Sequence, residues 1–383
     1  MKRSISVIIN PIAGVRPKDV IPGIVREVLP SDQFDVKICY TEYAGHASEI
    51  AKDAVRNNVD SVVAIGGDGT INETAKSLIG SDTALGIVPM GSGNGLARHI
   101  QIPLEMSRAL QVVREGHREK IDYGDVNGHI FFCTAGIGFD AMVSHEFALK
   151  KGRGPINYAK SAIEVFADYN PMTYAIYTDD GKVSEKAFLI AIGNAAQWGN
   201  NAFITPRASM TDGLLDITLV KPFPIVFAPQ MAMQLFAGTL DENPNVETFR
   251  SENIRIVLPQ SRSIVHVDGE PFEMEGVLVI KSHPAGLNVL TPSAPMSNLL
   301  EPIQFAIEDV HYSIQNNLRN SVRQIELVTA NTIEEIEKVV EPIEKSIDEA
   351  ITKAVIEPWN KAVVEPIEQL KKRVIESKKG KKK

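Results

Sequence analysis

The sequence of 383 residues contains only two cysteines, Cys39 and Cys133, and neither has the spacing of a metal-ligating pair. So few thiols are typical of a reduced, cytosolic protein. Long apolar runs are also missing: no stretch approaches the roughly 18 apolar residues of a membrane-spanning helix, and the run at residues 5–9 is too short for a signal peptide. We therefore expect a cytoplasmic protein whose contact with any membrane surface is peripheral.

The sequence has no excess of positive charge. It contains 40 Lys and Arg against 48 Asp and Glu, a formal net charge of −8, whereas a dedicated nucleic-acid binder carries a strong basic excess. We therefore expect no nucleic-acid partner. The hydrophobic content of 44% excludes a wholly disordered chain, and the length allows two domains with an appendage.

The pattern of strands and helices changes twice along the chain. Residues 1–121 alternate strand and helix, which predicts an α/β domain with a parallel sheet. Residues 122–292 are mostly short strands separated by turns, with helical interruptions near 140–168 and 225–238, which predicts a mainly antiparallel β domain. From Ile303 to Ile351, apolar residues recur about every 3.7 positions, close to the helical period, which predicts an additional α-helical tail over residues 293–383.

The predicted tail allows two interpretations. Residues 301–370 carry 14 acidic and 6 basic residues, whereas the last 13 residues carry 8 basic and 1 acidic. The tail could pack against the rest of the chain or against a second copy, which would make a homo-oligomer. It could also lie on a bilayer as an amphipathic surface, with its terminal lysines attracted to anionic lipid. The acidic residues favour packing.

A glycine-rich loop, Gly66-Gly67-Asp68-Gly69-Thr70, follows an apolar strand and precedes a predicted helix. Ligands of parallel α/β sheets bind at the carboxyl ends of the strands. Glycines allow main-chain N–H groups to approach a phosphate, and the start of a helix favours an anion. Asp68 is placed to face a magnesium ion or the reacting hydroxyl.

Two similar junctions occur in the same predicted domain, at residues 9–14 and 85–95. A single glycine-rich loop is often only a turn, but three at successive strand ends indicate a phosphate-binding cleft. The chain contains no Gly-x-x-x-x-Gly-Lys-Ser/Thr motif, and no Gly-x-Gly-x-x-Gly opens its first helix. A P-loop and a dinucleotide site are therefore unsupported.

These motifs resemble the diacylglycerol kinase catalytic domain family, which includes bacterial lipid kinases and the sphingosine and ceramide kinases. The order and spacing of the motifs agree with that family from residue 5 to about residue 292. The aspartate-glycine loop alone is shared with NAD kinases and phosphofructokinases, so the implied fold is a Rossmann-like α/β domain of that kind followed by a β-sandwich. The matching segments are residues 10–14, 66–73 and 91–94, Thr41 with residues 45–47, and residues 121–124, 135–140, 212–216 and 267–270.

The resemblance implies an ATP- and magnesium-dependent lipid kinase that phosphorylates a hydroxyl of a sphingoid base or a diacylglycerol. Asp68 would bind the catalytic magnesium or help to deprotonate the lipid hydroxyl, and Glu270 would accept the proton, with Asp268 as its rival. The implied ATP-binding residues are Asn10, Pro11, Ile12, Ala13, Gly14, Thr41, Gly66, Gly67, Asp68, Gly69, Thr70, Ile71, Asn72, Glu73, Ser92, Gly93 and Asn94.

The resemblance also implies two further sites. Asp122 would face the lipid headgroup. Asp212 would bind a structural magnesium ion together with main-chain carbonyls near Ser209 and Leu214. From the residues alone, a hairpin turn between strands is the favoured interpretation of Asp268-Gly269, and the alternative for Asp212-Gly213 is likewise a turn.

One departure from the family pattern bears on the substrate. Bacterial diacylglycerol kinases have an aspartate after the asparagine of the second loop, where this chain has Gly95 after Asn94. The loop Gly91-Ser92-Gly93-Asn94 instead resembles that of sphingosine kinases, which slightly favours a sphingoid base. Two alternatives stay open: a small-molecule kinase such as an NAD kinase, and a non-catalytic lipid-binding or membrane-scaffold protein.

Overall fold

The computed structural model describes residues 2–14, 20–149, 165–166 and 169–293. The predicted helical tail lies outside the described residues except for its first position, residue 293. Within the described part of the chain, every helix is too short or too polar to cross a membrane.

The first part of the chain forms four parallel strands flanked by helices, as the alternating pattern predicts. The strands occur in the order β2-β1-β3-β4, and every residue of β3 and β4 is buried. Because both faces of these strands are covered by helices, they are apolar throughout. The elements are β1 (Arg3–Ile9), α1 (Ile21–Val28), β2 (Phe34–Tyr40), α2 (His46–Arg56), β3 (Ser61–Gly66), α3 (Asp68–Leu78), β4 (Ala84–Pro89), α4 (Gly95–His99) and α5 (Met106–Glu115).

The second part of the chain is mainly antiparallel strand, and the α/β plus β-sandwich expectation is confirmed. Among the described residues of this part, one helix begins at Phe139 beside the predicted interruption near 140–168, and another, Ala228–Ala237, lies within the predicted interruption near 225–238. The elements are β5 (Arg118–Val126), β6 (His129–Phe131), β7 (Thr134–Gly138), α6 (Phe139–Leu149), β8 (Met172–Thr178), β9 (Gly181–Ala187), β10 (Leu189–Gly193), β11 (Leu215–Val220), α7 (Ala228–Ala237), β12 (Val246–Ser251), β13 (Asn253–Val257), β14 (Ser263–Val267), β15 (Glu270–Met274) and β16 (Val277–Leu290).

The two sheets of the β part enclose an apolar core. One sheet has the order β12-β11-β10-β7-β14-β15, and the other includes β16, β13, β8 and β9. In strand β13, buried and exposed residues alternate: Ile254 and Ile256 are buried and the residues beside them are exposed. This pattern arises because successive side chains of a strand point to opposite faces of the sheet. Ile137 and Ile190 of the first sheet share this core with Ile256 and Ile280 of the second.

The last strand connects the two parts of the chain. The 14-residue strand β16 pairs antiparallel with β5 and β13, and at Val289 it pairs in parallel with Leu85 of β4. The parallel sheet of the α/β part and one sheet of the sandwich are therefore one continuous ten-stranded sheet. The turn between β14 and β15 contacts Asn72 of the helix that follows β3, so a loop of the β part reaches the α/β part.

Candidate active site

The loops that follow β1, β3 and β4 contact one another, as the three glycine-rich junctions predict. The main-chain N–H of Asn10 donates to the carbonyl of Ile65 at 3.0 Å, and its side-chain amide donates to the Thr70 hydroxyl at 2.8 Å. The N–H of Met90 donates to the carbonyl of Gly66 at 2.8 Å. The three loops therefore form one cluster at the carboxyl edge of the parallel sheet.

Close main-chain approach explains the glycines of this cluster. A Cβ on Gly66 would lie 2.7 Å from Cβ of Thr70, and a Cβ on Gly91 would lie 2.9 Å from Cα of Gly67. Gly67 precedes helix α3 and supplies no side-chain cap. Because the first amides of a helix lack intrahelical acceptors, the start of this 11-residue helix can donate them to a phosphate.

Asp68 attaches the third of these loops to the second. Its Oδ2 accepts the N–H of Asn94 at 3.0 Å, and its Oδ1 accepts the N–H of Gly95 at 2.9 Å. Each carboxylate oxygen can accept a second bond, so Asp68 keeps acceptor capacity for a metal ion or a water molecule. Burial lowers the pKa of the nearby Arg98, and the negative charge of Asp68 opposes this effect.

The other predicted nucleotide residues differ in what they can offer. Ile71 is only 1% exposed, so it can contribute only main-chain groups, whereas Ile12 is 89% exposed. Thr41 donates its N–H to the carbonyl of Ile9 at 2.9 Å, next to the first loop. Glu73 accepts the N–H of Gly45 at 3.0 Å, which attaches the Gly45-His46-Ala47 segment to helix α3. The remaining predicted residues lie in or beside the three loops: Pro11, Ala13, Gly14, Gly69, Asn72, Ser92 and Gly93.

Asp268 and Gly269 form a two-residue hairpin turn between β14 and β15, with Val267 paired to Glu270. Both turn residues have positive φ, 47° and 81°, as a tight hairpin of this kind requires. The turn interpretation is therefore confirmed, and it does not conflict with a role in the site.

The Asp268 carboxylate holds this hairpin against both parts of the chain. It accepts the main-chain N–H groups of Phe132, Cys133 and Thr134 at 2.9, 2.8 and 3.0 Å. It also accepts the side-chain amide of Asn72 at 3.1 Å. Burial raises the pKa of Asp268, and the three main-chain donors oppose this effect. With so many donors directed at it, Asp268 has the environment of an anchoring carboxylate.

Glu270 has a different environment from Asp268. It lies two residues further on at the start of β15, and its side chain is exposed. Of the two rival carboxylates, Glu270 is the one that solvent or a ligand can reach.

A buried pair under the hairpin, Asp140 with His266, was not singled out by the sequence reasoning. Nε2 of His266 lies 3.1 Å from Oδ2 of Asp140, and both residues are 2% exposed. Nδ1 of His266 accepts the N–H of Gly269 at 3.4 Å. His266 stands two residues before Asp268, but 126 positions separate it from Asp140, so no local pattern indicates their contact.

Asp122 is 2% exposed, and its carboxylate accepts hydrogen bonds from two main-chain N–H groups. Its Oδ2 accepts the N–H of Gly213, and its Oδ1 accepts the N–H of Ala285, both at 2.7 Å. The carboxylate therefore ties the loop before β11 to the bulge in β16. Its predicted role at the lipid headgroup stays a prediction.

The predicted structural magnesium site is a short turn before β11. Oδ1 of Asp212 accepts the N–H of Leu214 at 3.1 Å, and its other oxygen pairs with Arg250. Burial raises the pKa of Asp216 to about 6; Arg250 opposes the shift and Asp212 adds to it. No group of three or more His, Cys, Asp or Glu side chains is arranged for a metal within the described ranges. A magnesium ion at Ser209, Asp212 and Leu214 also stays a prediction.

Two families match the chain in succession. The diacylglycerol kinase catalytic domain matches residues 4–126, and the YegS C-terminal NAD kinase beta sandwich-like domain matches residues 133–291. A solved structure of a diacylglycerol kinase from Bacillus anthracis superposes with a TM-score of 0.59 at 19% identity, covering 76% of this chain and 97% of that one. This likeness shows the shared fold.

Two curated relatives extend the comparison. A protein of Pectobacterium atrosepticum named "Probable lipid kinase YegS-like" is 31% identical over 280 residues, which cover 71% of this chain and 91% of the relative. A protein of Staphylococcus saprophyticus named "Diacylglycerol kinase" is 26% identical over 275 residues, which cover 70% of this chain and 90% of the relative. With both domains matched in order, the chain belongs to the lipid kinase family defined by the diacylglycerol kinase catalytic domain and the YegS-type C-terminal domain.

Proposed function

We propose that the protein transfers the γ-phosphoryl group of ATP to a hydroxyl of a membrane-derived lipid, either a diacylglycerol or a sphingoid base. One observation carries the proposal. Helix α3 begins at Asp68, whose carboxylate holds the glycine-rich loop that follows β4, and one turn later Asn72 binds the hairpin that carries Glu270. Carboxylates from both parts of the chain are thereby attached to the helix start that suits a phosphate.

The donor set of this cluster fits ATP and magnesium. Because glycines have no side chain, the main-chain amides of these loops and of the helix start can approach the phosphates closely. Beside them, the Asp68 carboxylate can accept a further bond. Magnesium in kinases is usually held by one or two carboxylates together with substrate phosphates, so a dedicated cage of protein ligands is not required. When bound, the ion would be held in part by Asp68 and would neutralise negative charge that develops on the phosphates during transfer.

The proton of the lipid hydroxyl needs an acceptor, and we assign this role to Glu270. The hydroxyl oxygen forms a bond to the γ-phosphorus, the bond from that phosphorus to the bridging oxygen of ADP breaks, and the proton moves to the Glu270 carboxylate. Asp268 has the supporting task of holding the hairpin, since its oxygens already accept four protein donors.

We assign the binding of each substrate to one of the two predicted domains. Residues 1–121 would bind ATP, and residues 122–292 would bind the lipid, with Asp122 near its headgroup. The protein would work at the cytoplasmic surface of a membrane.

The packing around Gly95 gives its departure from the diacylglycerol kinase pattern a second explanation. A Cβ on Gly95 would lie 3.2 Å from the carbonyl oxygen of Trp198 and 3.4 Å from Sγ of Cys133. A larger residue would crowd this contact whatever the substrate. Gly95 therefore favours neither a diacylglycerol nor a sphingoid base as the substrate.

Incubation with labelled ATP and separate samples of diacylglycerol, sphinganine, ceramide and NAD tests the proposal. We expect a labelled lipid phosphate that requires magnesium, with no product from the Asp68→Asn variant. Label in NAD alone would instead favour the small-molecule kinase. If folded protein leaves ATP untouched with every acceptor, the non-catalytic alternative replaces the proposal.

A further inference from the structure

A patch of exposed apolar side chains lies on α7 and the short 3₁₀ helix before it, Ile225–Phe227. Four large side chains project into solvent here: Val226 is 73% exposed, Phe227 46%, Met233 70% and Phe236 58%. We call these four residues the apolar helix surface.

The exposed side of α7 is unusual for a surface helix. Met231 is only 8% exposed and packs in the cluster that contains Phe188 and Ile204, so one side of the helix is anchored in the protein. The outward side of a surface helix normally carries charged or polar residues. Here the outward side carries Met233 and Phe236, which indicates a partner that is itself apolar.

The segment around this surface carries no charge of either sign. Residues 222–238 contain no Asp, Glu, Lys, Arg or His. The nearest flanking charges already have partners: Lys221 pairs with Glu185 and Glu247, and Asp241 pairs with Arg207. An uncharged surface of this kind neither repels an anionic membrane nor depends on one for attraction.

The surface is connected to the candidate active site through one loop. The carbonyl of Leu235 in α7 accepts the N–H of Phe203 at 2.9 Å. The N–H of Trp198 in the same loop donates to the carbonyl of Ala202 at 3.0 Å, and the Trp198 side chain packs in the same cluster as Met231. The carbonyl of Trp198 in turn lies against Gly95, next to Asp68.

We propose that the apolar helix surface docks on a phospholipid bilayer, with Phe227, Met233 and Phe236 inserted at the boundary between headgroups and acyl chains. The choice of a bilayer as the occupant rests on the proposed function, because a lipid acceptor resides there. Large apolar side chains on an exposed helix face, such as Phe and Met here, can be buried in that boundary.

A second copy of the chain fits this surface less well. A ten-residue helix is about 15 Å long. A stable dimer usually buries about 800 Å² on each partner, which one such helix does not provide alone. A bilayer needs no matching protein surface and would hold the lipid acceptor next to the loop that reaches Gly95.

Vesicle flotation with the full-length protein tests the proposal. The vesicles contain only phosphatidylcholine, because a zwitterionic surface removes attraction for the terminal lysines. The test variant combines Met233→Glu and Phe236→Glu, and the control is Val277→Glu, which changes a valine in β16 that is 40% exposed. If the double variant does not fold, Met233→Ser with Phe236→Ser replaces it.

We expect wild type and control to float with the vesicles equally at low and high salt, and the double variant to partition about tenfold more weakly or worse. The double variant should keep wild-type activity on lipid dispersed in detergent. Equal flotation of double variant and wild type would overturn the proposal. So would a double variant that loses self-association, measured by light scattering, while vesicle binding is unchanged. Because flotation does not require catalysis, the two proposals fail separately. If the kinase proposal is wrong, the wild-type protein will float with the vesicles but phosphorylate no lipid.

Discussion

The side-chain amide of Asn72 donates a hydrogen bond of 3.1 Å to the carboxylate of Asp268, although 196 positions separate the two residues. Asn72 lies one turn after Asp68 on helix α3, and Asp268 lies at the tip of the hairpin that leads to Glu270. This contact attaches the only exposed carboxylate of the 268–270 segment to the helix whose start we propose to bind phosphate. The proposed chemistry depends on that attachment.

The two hairpin carboxylates should respond differently to loss of charge. Glu270→Gln should lower kcat by about 10²–10⁴-fold, as expected for loss of a general base, and leave the free energy of unfolding within about 0.5 kcal/mol because the side chain is exposed. Asp268→Asn should lower the free energy of unfolding by about 1–3 kcal/mol, because an amide nitrogen would then face main-chain donors. Kinetics and urea denaturation of both variants check this pair. If the Asp268→Asn variant is stable but inactive and the Glu270→Gln variant is active, Asp268 is the proton acceptor and Glu270 is not.

The buried pair of Asp140 and His266 depends on the lack of a side chain at Gly136. A Cβ at this position would collide with Oδ2 of Asp140 and would lie 2.6 Å from Nε2 of His266. We expect Gly136→Ala to lower the free energy of unfolding by about 1–3 kcal/mol, because the pair must move apart.

Gly23→Ala is the matched control for that substitution. Gly23 lies in α1, its added Cβ would meet no atom within 4 Å, and it has no positive φ. Alanine should therefore raise the free energy of unfolding by about 0.5–1 kcal/mol. Thermal or urea unfolding of both variants gives the comparison, and a shift of the same sign in both would contradict it.

His99 should make stability depend on pH. Burial lowers its pKa to about 4 in the folded protein, from an ordinary value of about 6.5, and its Nδ1 accepts the N–H of Ala196 at 3.1 Å. Since the unfolded chain binds the proton first, the contribution of neutral His99 is fully present above about pH 6.5 and is lost as the pH falls toward 4. The loss should reach about 3 kcal/mol at most.

Urea denaturation at several pH values measures this effect. His99→Gln should weaken the pH dependence, because glutamine can accept the same hydrogen bond and does not titrate. His117→Gln changes an exposed histidine and serves as the control. An unchanged pH profile in His99→Gln would show that the folded protein accommodates a charged His99.

Removal of residues 300–383 should leave activity on detergent-dispersed lipid largely intact. Both matched domains end by residue 291, before the deleted segment begins. The measurement is lipid phosphorylation by the truncated and full-length proteins under the same conditions. Complete loss of activity in a soluble truncated protein would mean that the tail is part of the catalytic unit.

Local sequence was sufficient to predict the glycine-rich loops. An apolar run followed by glycines and a helix start specifies a strand, a close main-chain approach and a helix N-terminus within a dozen residues, as at residues 62–73. The alternation of strand and helix before residue 121, and of short strands after it, likewise predicted both parts of the fold. These features depend on contacts between near neighbours, whose residue types are visible together in the sequence.

Tertiary structure alone decided how the parts meet. The pairing of β16 with β4, the Asn72–Asp268 hydrogen bond and the buried Asp140–His266 pair join residues 126 to 204 positions apart. Asp122 shows the same limit, since nothing beside it in the sequence indicates that Gly213 and Ala285 donate to its carboxylate. Such contacts depend on the whole fold because hydrophobic periodicity reports only which face of an element is buried, and not which distant element covers it.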